Sequence, residues 1–478
     1  MGESLCLKTT MKNRKLRNKD LKSVSYTNNK IISVALNIMA KYFKHMQNSD
    51  KLELLSKVFQ KPEQYLEDEI LHRIAIELIN ERQEKVIKKE IELENIKPYK
   101  IYGREFISDN TIQQMEGAMQ LPVSVEGALM PDAHHGYGLP IGSVLATKNA
   151  VIPYGVGMDI GCRMRLSIFE QNSDYLKKNE FAVLRELKRN TAFGLSETVE
   201  GNKDHEIFER NEFQLTPLLR KLKGKAVKQL GSSGSGNHFV EFGEVDLKEG
   251  NELGIPRGRY LGLLSHSGSR GLGASIAQYY TEIAMGTCLL PKNVKNMAWL
   301  DLSSEAGQEY WMSMNLAGDY AKACHDEIHD NLIRFLGLTQ MNKVENHHNF
   351  AWKEQYSDGN DYIIHRKGAT PAKKGDMGII PGSMTSKGYI VSGKGVKGSL
   401  FSASHGAGRK MSRSKAKSSY TMNEMKKMIK KEKITLIGGS IDEAPFVYKD
   451  IEQVMKAQDQ LVNIEGSFTP KIVVMDKK

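Results

Sequence analysis

A chain of 478 residues, 40% of them hydrophobic, has enough apolar surface for a substantial core, built either as one large domain or as two or three average ones. Lys and Arg number 68 against 57 Asp and Glu, a formal charge of +11 with a pI near 9.1, which favours polyanionic partners such as nucleic acid. The four cysteines, Cys6, Cys162, Cys288 and Cys324, form no CxxC pair, so neither a zinc ribbon nor a disulfide framework is indicated and a reducing cytoplasm is the simpler expectation.

Residues 1–30 carry eight Lys or Arg against two acidic residues and little apolar content, the composition of a basic, flexible arm. The stretch MGESLCLKTTMKNRKLRNK lacks the apolar core of a signal peptide, and Cys6 stands where a myristoylation signal needs Ser or Thr. No apolar run approaches the roughly 18 residues of a membrane span. Residues 31–98 change to helical spacing, with Ile32, Leu36, Met39 and Phe43 on one face, then Leu66, Ile70, Ile74 and Leu78 on another, and read as a small helical extension without chemistry.

From residue 99 to 478 the chain reads as one large mixed domain. LPIGSVLATKNAVIPYGVG and YLGLLSHSG are short Val/Ile/Leu-rich strands ending in Gly-bearing loops. Helical pattern returns between about 300 and 340, and a charged stretch at 409–433 precedes a last apolar segment. No internal repeat is evident. The distinctive residues sit at Gly-rich strand ends, which predicts loops converging on a single cleft.

LGSSGSGNHFVEFG at 230–243 has glycines that suit close approach of a phosphate, but Asn237 and His238 replace the Lys and Ser/Thr that complete a Walker A loop. Nucleotide loop, metal site and tight turn all remain open on this segment alone. Loud neighbours surround other histidines as well: PDAHHGYG, HSGSRG, ENHHN and SHGAGR, beside MDIGC at 158–162. Asp159 and Cys162 bring a carboxylate and a thiolate to one turn, and His238, His266 and His348 offer three imidazoles. Five ligands exceed an ordinary tetrahedral site, and the economical solution is two ions sharing the thiolate, with open positions for phosphate oxygens. His325-Asp-Glu-Ile-His329 imitates the HExxH zinc helix, but its glutamate is one place late, and the segment reads as an exposed helix face.

PDAHHGYGLPIGS, VIPYGVGMDIGC, GSGNHFVE, SHSGSRG, HHN, RKGATPA, IIPGSM, SHGAGR and DEAPFVYKDI, in this order, resemble the RtcB family of GTP-dependent RNA ligases from about Pro98 to the C-terminus. The resemblance implies an α+β fold: one large mixed α/β catalytic domain with central β-sheets and a metal-containing cleft, preceded by the small helical extension. It implies joining of an RNA 3′-phosphate or 2′,3′-cyclic phosphate to a 5′-hydroxyl end, with GTP as cosubstrate and two Mn2+ ions, in tRNA splicing, RNA repair or RNA processing. A cytoplasmic setting fits; neither a membrane nor an obligate protein partner is implied.

Carried over residue by residue, the resemblance makes His405 the guanylylated nucleophile and Asp132 the carboxylate that orients it, a pairing that suits a neutral imidazole near pH 7. Asp159, Cys162, His238, His266 and His348 match the metal ligands. Asn237, Asn349 and Ser383 match phosphate contacts, and Gly406 and Gly408 leave room for the nucleotide. Glu241 matches the acceptor for guanine N1 and N2, Tyr448 and Lys477 fall where the base is stacked and read, and Arg270 and Arg409 suit RNA termini or phosphates. Two departures stand out: GCRM replaces the family's GCGM, setting Arg163 beside the shared thiolate, and Thr385 and Gly388 replace a Gly and a guanine-contacting Ser after PGSM. The rival reading is a dinuclear metal-dependent RNA phosphoesterase or nuclease, against which the pairing of His405 with Asp132 argues. A silent RNA-binding protein is disfavoured by the intact ligand set, and a lysine-type nucleotidyl ligase is excluded because Tyr356 stands where KxDG needs Lys before Asp358-Gly359.

Overall fold

The computed structural model describes residues 15–87, 90–194, 204–356 and 359–477, and the chain divides into two compact units, 1–89 and 90–478. The division falls ahead of the expected boundary at 98, because Ile91 and Leu93 already pack against the core of the second unit.

The first unit is helical. Helices Asn29–Tyr42, Asn48–Gln60 and His72–Ile87 enclose a core that includes Ile31, Ile32, Leu55, Val58, Ile74 and Leu78. Residues 1–14 of the expected arm lie outside the described residues, but its second half is no loose tail. Asn18–Lys22 is a short helix, Leu21 and Tyr26 are buried, and the Tyr26 hydroxyl donates to the Leu55 carbonyl at 2.9 Å. Two apolar side chains in a basic segment are enough to recruit it, because each removes a large apolar area from water. Leu66 and Ile70, expected on a helical face, precede the third helix, and Leu66 is exposed.

The second unit has the mixed α/β architecture that the resemblance implied. One five-stranded sheet has the order Tyr99–Ile101, Ser124–His134, Ile141–Thr147, Asp361–Lys367, Asn349–Gln355, antiparallel except for its first pair. The larger, eight-stranded sheet runs Gln340–His347, Arg163–Phe169, Gly258–Ser267, Phe239–Leu247, Val462–Met475, Gly388–Gly393, Met377–Ile380, with Thr435–Ile437 pairing parallel to Ile472, Val473 and Val474 of the strand Val462–Met475. Helices Arg270–Thr287 and Glu305–Leu336 contribute Ile276, Tyr280, Tyr310, Met314 and Tyr320 to the largest apolar cluster. Both are amphipathic elements that bury one face against other elements of the domain. Among the described residues no helix is long and apolar enough to cross a membrane.

Candidate active site

The residues singled out along the sequence meet because strand ends come into line. His347 pairs with Arg163 and Arg163 with Ser267, while His266 pairs with Phe239. Cys162 and His238 each sit one residue before a strand, His266 is the last residue but one of Gly258–Ser267, and His348 lies between Gln340–His347 and Asn349–Gln355, which belong to different sheets. Two further links close the corner: the His348 amide donates to the Cys162 carbonyl at 2.9 Å, and the Gly161 amide to the Asn349 carbonyl at 2.8 Å.

Two groups of donor atoms result, Asp159–Cys162–His238 and Cys162–His266–His348, with Cys162 common to both. Cys162 Sγ lies 3.2 Å from His266 Nε2 and 3.5 Å from His238 Nε2; His266 Nε2 lies 3.2 Å from His348 Nε2, and His238 Nε2 lies 2.9 Å from Asp159 Oδ2. The outer nitrogens fix the tautomers. His238 Nδ1–H donates to the Ser233 carbonyl at 2.7 Å and His266 Nδ1–H to the Asn237 carbonyl at 3.0 Å, which turns each Nε2 lone pair inward. Burial pushes His266 down to about 3 and His348 well below the ordinary imidazole range, which favours in both the neutral ring that a metal ligand needs. Facing lone pairs at these separations repel unless a cation lies between them, so the donor set fits divalent metal. Burial would raise the Asp159 carboxyl, but His238 and Arg270 hold it well below the usual carboxylate range; burial and Asp159 push the Cys162 thiol up.

His405 follows the strand Ser402–Ser404 and stands beside this cluster, its ring centroid 4.9 Å from that of His348. Its Nδ1 donates to Asp132 Oδ2 at 2.7 Å, and its backbone amide donates to the same oxygen at 3.2 Å. Burial would raise the Asp132 carboxyl, yet the His405 contact, aided by Lys449 and His134, brings it below its ordinary value. Gly408 has φ +71°, and a Cβ there would meet the Asp132 carbonyl at 2.1 Å, so only glycine lets the SHGAGR loop close on this carboxylate.

A cavity of about 1230 Å³ opens over both features. Its lining includes Asp159, Cys162, Asn237, His238, Glu241, His266, His348, Asn349, Ser383, His405, Gly406, Gly408, Arg409 and Tyr448. Burial raises the Glu241 carboxyl well above the usual carboxylate range, which favours its protonated form. Arg409 lies over the Tyr448 ring, 5.6 Å from its centroid, and donates to Glu443, to which the Tyr448 hydroxyl also donates. Asn349 is tied down structurally: its amide donates to the Asp159 carbonyl at 3.4 Å and accepts from Gly368 N at 2.9 Å.

Three predicted site residues are placed differently from the rest. Asp132 is buried behind His405 rather than on the cavity wall. Arg270 also lies outside the lining; its guanidinium packs over Gly234, where a Cβ would meet it at 1.7 Å, and reaches to 3.1 Å from His238 Nδ1. Since that nitrogen's proton goes to Ser233, the contact is one of charge rather than a hydrogen bond. Lys477 is exposed near the chain end and does not line the cavity.

Two expectations are overturned. The His325/His329 pair is no exposed face: both rings are buried. Ser265 Oγ lies 2.6 Å from His325 Nδ1 and 2.7 Å from His329 Nε2, His329 Nδ1 meets Ser167 Oγ at 2.8 Å, and His325 Nε2 meets the Ser267 carbonyl at 3.2 Å. Helical spacing put both on one stripe, and that stripe faces the sheet. Arg163 is not turned to the thiolate: it is absent from the lining, and its guanidinium reaches Glu345 on the neighbouring strand at 3.5 Å. Adjacent residues entering a strand point to opposite faces, so Cys162 inside puts Arg163 outside.

Sequence reasoning passed over Lys367, Lys449 and Ser386. Lys367 lines the cavity, donates to the carbonyls of Tyr154 at 2.9 Å and Tyr137, and is pushed down to about 7 by burial. Lys449 donates to the carbonyls on both sides of Asp132, Pro131 at 3.0 Å and Ala133 at 2.8 Å. Ser386 lines the cavity with its Oγ 2.8 Å from Ser383 Oγ, and Gly388 lines it too, whereas Thr385 is not on the wall. RKGATPA and the YKD of the last motif were the available signals; burial of their lysines was not legible.

A family model described as tRNA-splicing ligase RtcB matches residues 114–215 and 206–476. The chain is 33% identical over 382 residues to the RNA-splicing ligase RtcB of Escherichia coli K12, covering 74% of this chain and 90% of that protein. It is 30% identical over 454 residues to the tRNA-splicing ligase RtcB of Nanoarchaeum equitans (79% and 95% covered) and 29% identical over 422 residues to that of Methanococcus maripaludis (73% and 88%).

Proposed function

The chain belongs to the RtcB family, and from that premise we propose that it is an RNA ligase acting in RNA splicing or repair, which uses GTP to join RNA 3′-phosphate or 2′,3′-cyclic phosphate ends to 5′-hydroxyl ends. The observation that carries this reading is the 2.7 Å pairing of His405 with Asp132 at the edge of a cavity whose wall holds five clustered metal-donor side chains. A two-metal nuclease can activate its water on the ions themselves and does not require a nucleophilic imidazole.

The chemistry follows from the tautomer. With Nδ1–H committed to Asp132, His405 Nε2 carries the lone pair, attacks the α-phosphorus of GTP and displaces pyrophosphate, while Asp132 stabilises the cationic ring. The guanylate then passes to an RNA 3′-phosphate oxygen: the N–P bond breaks and a phosphoanhydride forms. Attack of the 5′-hydroxyl on the RNA phosphorus makes the new phosphodiester, releases GMP and yields the hydroxyl proton to solvent. A cyclic phosphate is first opened by water. Asp159, Cys162 and His238 would hold one divalent ion and Cys162, His266 and His348 the other, manganese in this proposal, supplying neutralisation of phosphate charge. Glu241 and Tyr448 are assigned to the guanine, Asn237, Asn349 and Ser383 to phosphate, and Lys367 and Arg409 supply positive charge on the cavity wall. Arg270 acts behind His238, and Lys477 reaches the base only from the exposed chain end. The setting proposed is cytoplasmic.

Incubation with α-labelled GTP and manganese should yield an acid-labile, base-stable protein adduct, the behaviour of a phosphoramidate on histidine. His405→Ala should abolish it with metal content nearly intact. An adduct that persists in this variant sinks the assignment, and RNA hydrolysis without any adduct in the native protein favours the phosphoesterase.

A further inference from the structure

Residues 409–433 contain ten Lys or Arg and two acidic residues, a large part of the chain's net +11 in a short segment. They build two helices, Arg413–Ser419 and Met422–Lys431, the second strongly amphipathic. Met425 and Ile429, one turn apart, are its buried positions; Lys426, Lys427, Lys430 and Lys431 occupy the opposite arc and are exposed, as are Lys415 and Lys417 on the first helix and Lys433 after the second. Glu424, the acidic residue within the second helix, is engaged in a capping box with Thr421. Among the described residues no ion pair engages Lys415, Lys426, Lys427, Lys430, Lys431 or Lys433. Two lysines in the last turn would satisfy the helix dipole; this face holds far more charge than that.

Its position gives the charge a use. Met425 and Ile429 pack in one cluster with Met384, Val473 and Met475, and those three line the catalytic cavity. The lysine face is therefore about one helix diameter, roughly 10 Å, outside the cavity wall. Arg409, Lys410 and Arg413 line the cavity itself, so one segment supplies basic side chains both to the cavity and to the outer face.

We propose that the outer lysine face of the helix pair Arg413–Ser419 and Met422–Lys431 is a docking surface for the RNA sugar–phosphate backbone, holding the body of the substrate while its ends enter the cavity. The inference rests on the RNA ligase reading for the identity of the polyanion. Closely spaced lysines on a helix match a row of phosphates as point charges without reading bases, so the surface adds affinity that is independent of sequence and strongly dependent on salt.

The test replaces Lys426, Lys427, Lys430 and Lys431 together by Gln, which removes charge at nearly unchanged helix propensity. A second variant removes four exposed lysines elsewhere, Lys221, Lys228, Lys292 and Lys295. Binding of a fluorescein-labelled RNA stem-loop is measured against salt, and formation of the GMP adduct is measured without RNA. If about four phosphate contacts are lost, the slope of log K against log salt should flatten by roughly 3, so that native affinity falls about sixtyfold further than the variant's between about 50 and 200 mM salt. The second variant should keep the native slope, and all three proteins should form the adduct at the same rate. Equal slopes in native and face variant overturn the proposal, as does equal flattening in both variants, which would report net charge alone. Unchanged RNA binding with weakened binding of polyglutamate would assign the face to an acidic protein instead and equally overturn it. Absence of the adduct from the native protein would refute the ligase chemistry while leaving the slopes to decide the surface.

Discussion

His405 Nδ1 lies 2.7 Å from Asp132 Oδ2, a carboxylate with no solvent exposure, which brings the residue after the strand Ser402–Ser404 onto the distant strand Ser124–His134. The pairing fixes the tautomer of His405, the proposed nucleophile. Asp132→Asn keeps an acceptor in place but removes the charge that stabilises the ring as it turns cationic. Adduct formation in a single turnover with saturating GTP should slow by about 10²-fold or more. The native carboxyl titrates below its ordinary value, so its stabilising contribution is present above the usual carboxylate range and is lost only as pH falls through the lowered pKa. No change in rate between pH 5 and 8 should therefore trace to Asp132; one that vanishes in Asp132→Asn would contradict this.

Lys367 does titrate in that window, at about 7. It is a cation below pH 7 and neutral above, so the metal-free protein should bind inorganic pyrophosphate less tightly as pH rises, by at most about tenfold per pH unit for one proton. Lys367→Met should bind weakly with that dependence removed. Calorimetric titrations at several pH values check the sign.

Cys162 is the donor common to both groups. Cys162→Ala should lower tightly bound metal from two ions toward one or none, as read by elemental analysis after desalting. Two ions retained would refute a shared thiolate.

A site of one thiolate, three imidazoles and one carboxylate should bind zinc more tightly than manganese, because softer ligands and the Irving–Williams order both favour zinc. Zinc is content with four ligands and accepts additional phosphate oxygens less readily than manganese does. Zinc titrated into a manganese-supported ligation assay should therefore displace manganese and inhibit both adduct and product. Full ligation with zinc as sole metal would overturn this account.

His325 spans the two neighbours of the candidate metal ligand His266, meeting Ser265 Oγ and the Ser267 carbonyl. His325→Ala leaves both without this partner in a buried setting and should cost about 2 kcal/mol or more in chemical denaturation. It should also weaken metal binding, although His325 is not among the candidate ligands. Unchanged metal affinity would reduce the ring to a purely structural role.

The chemistry of the site was largely legible in the chain. Asp159, Cys162, His238, His266, His348 and His405 are scarce, reactive side chains set among glycines at strand ends, and such residues seldom serve packing there, so their types and order single out the candidate residues that the fold brings to one cavity. What no pattern revealed was which way side chains face once strands and helices pack. Arg163 follows Cys162 and turns away from it because strand parity puts neighbours on opposite faces, and this is known only once a strand is known to begin at Arg163. The HDEIH stripe reads equally well as surface or interior; the strand Gly258–Ser267, presenting Ser265 to both imidazoles, buries it. Leu21 and Tyr26 fold a segment whose charge suggested a loose arm, since a partner core outweighs local composition. Lys367 acquires its lowered pKa only from burial against the Tyr137 and Tyr154 carbonyls, a property of packing between segments distant in sequence. Identity of chemistry is local and sequence carries it; direction, burial and protonation are set by long-range contacts, which only the tertiary structure supplies.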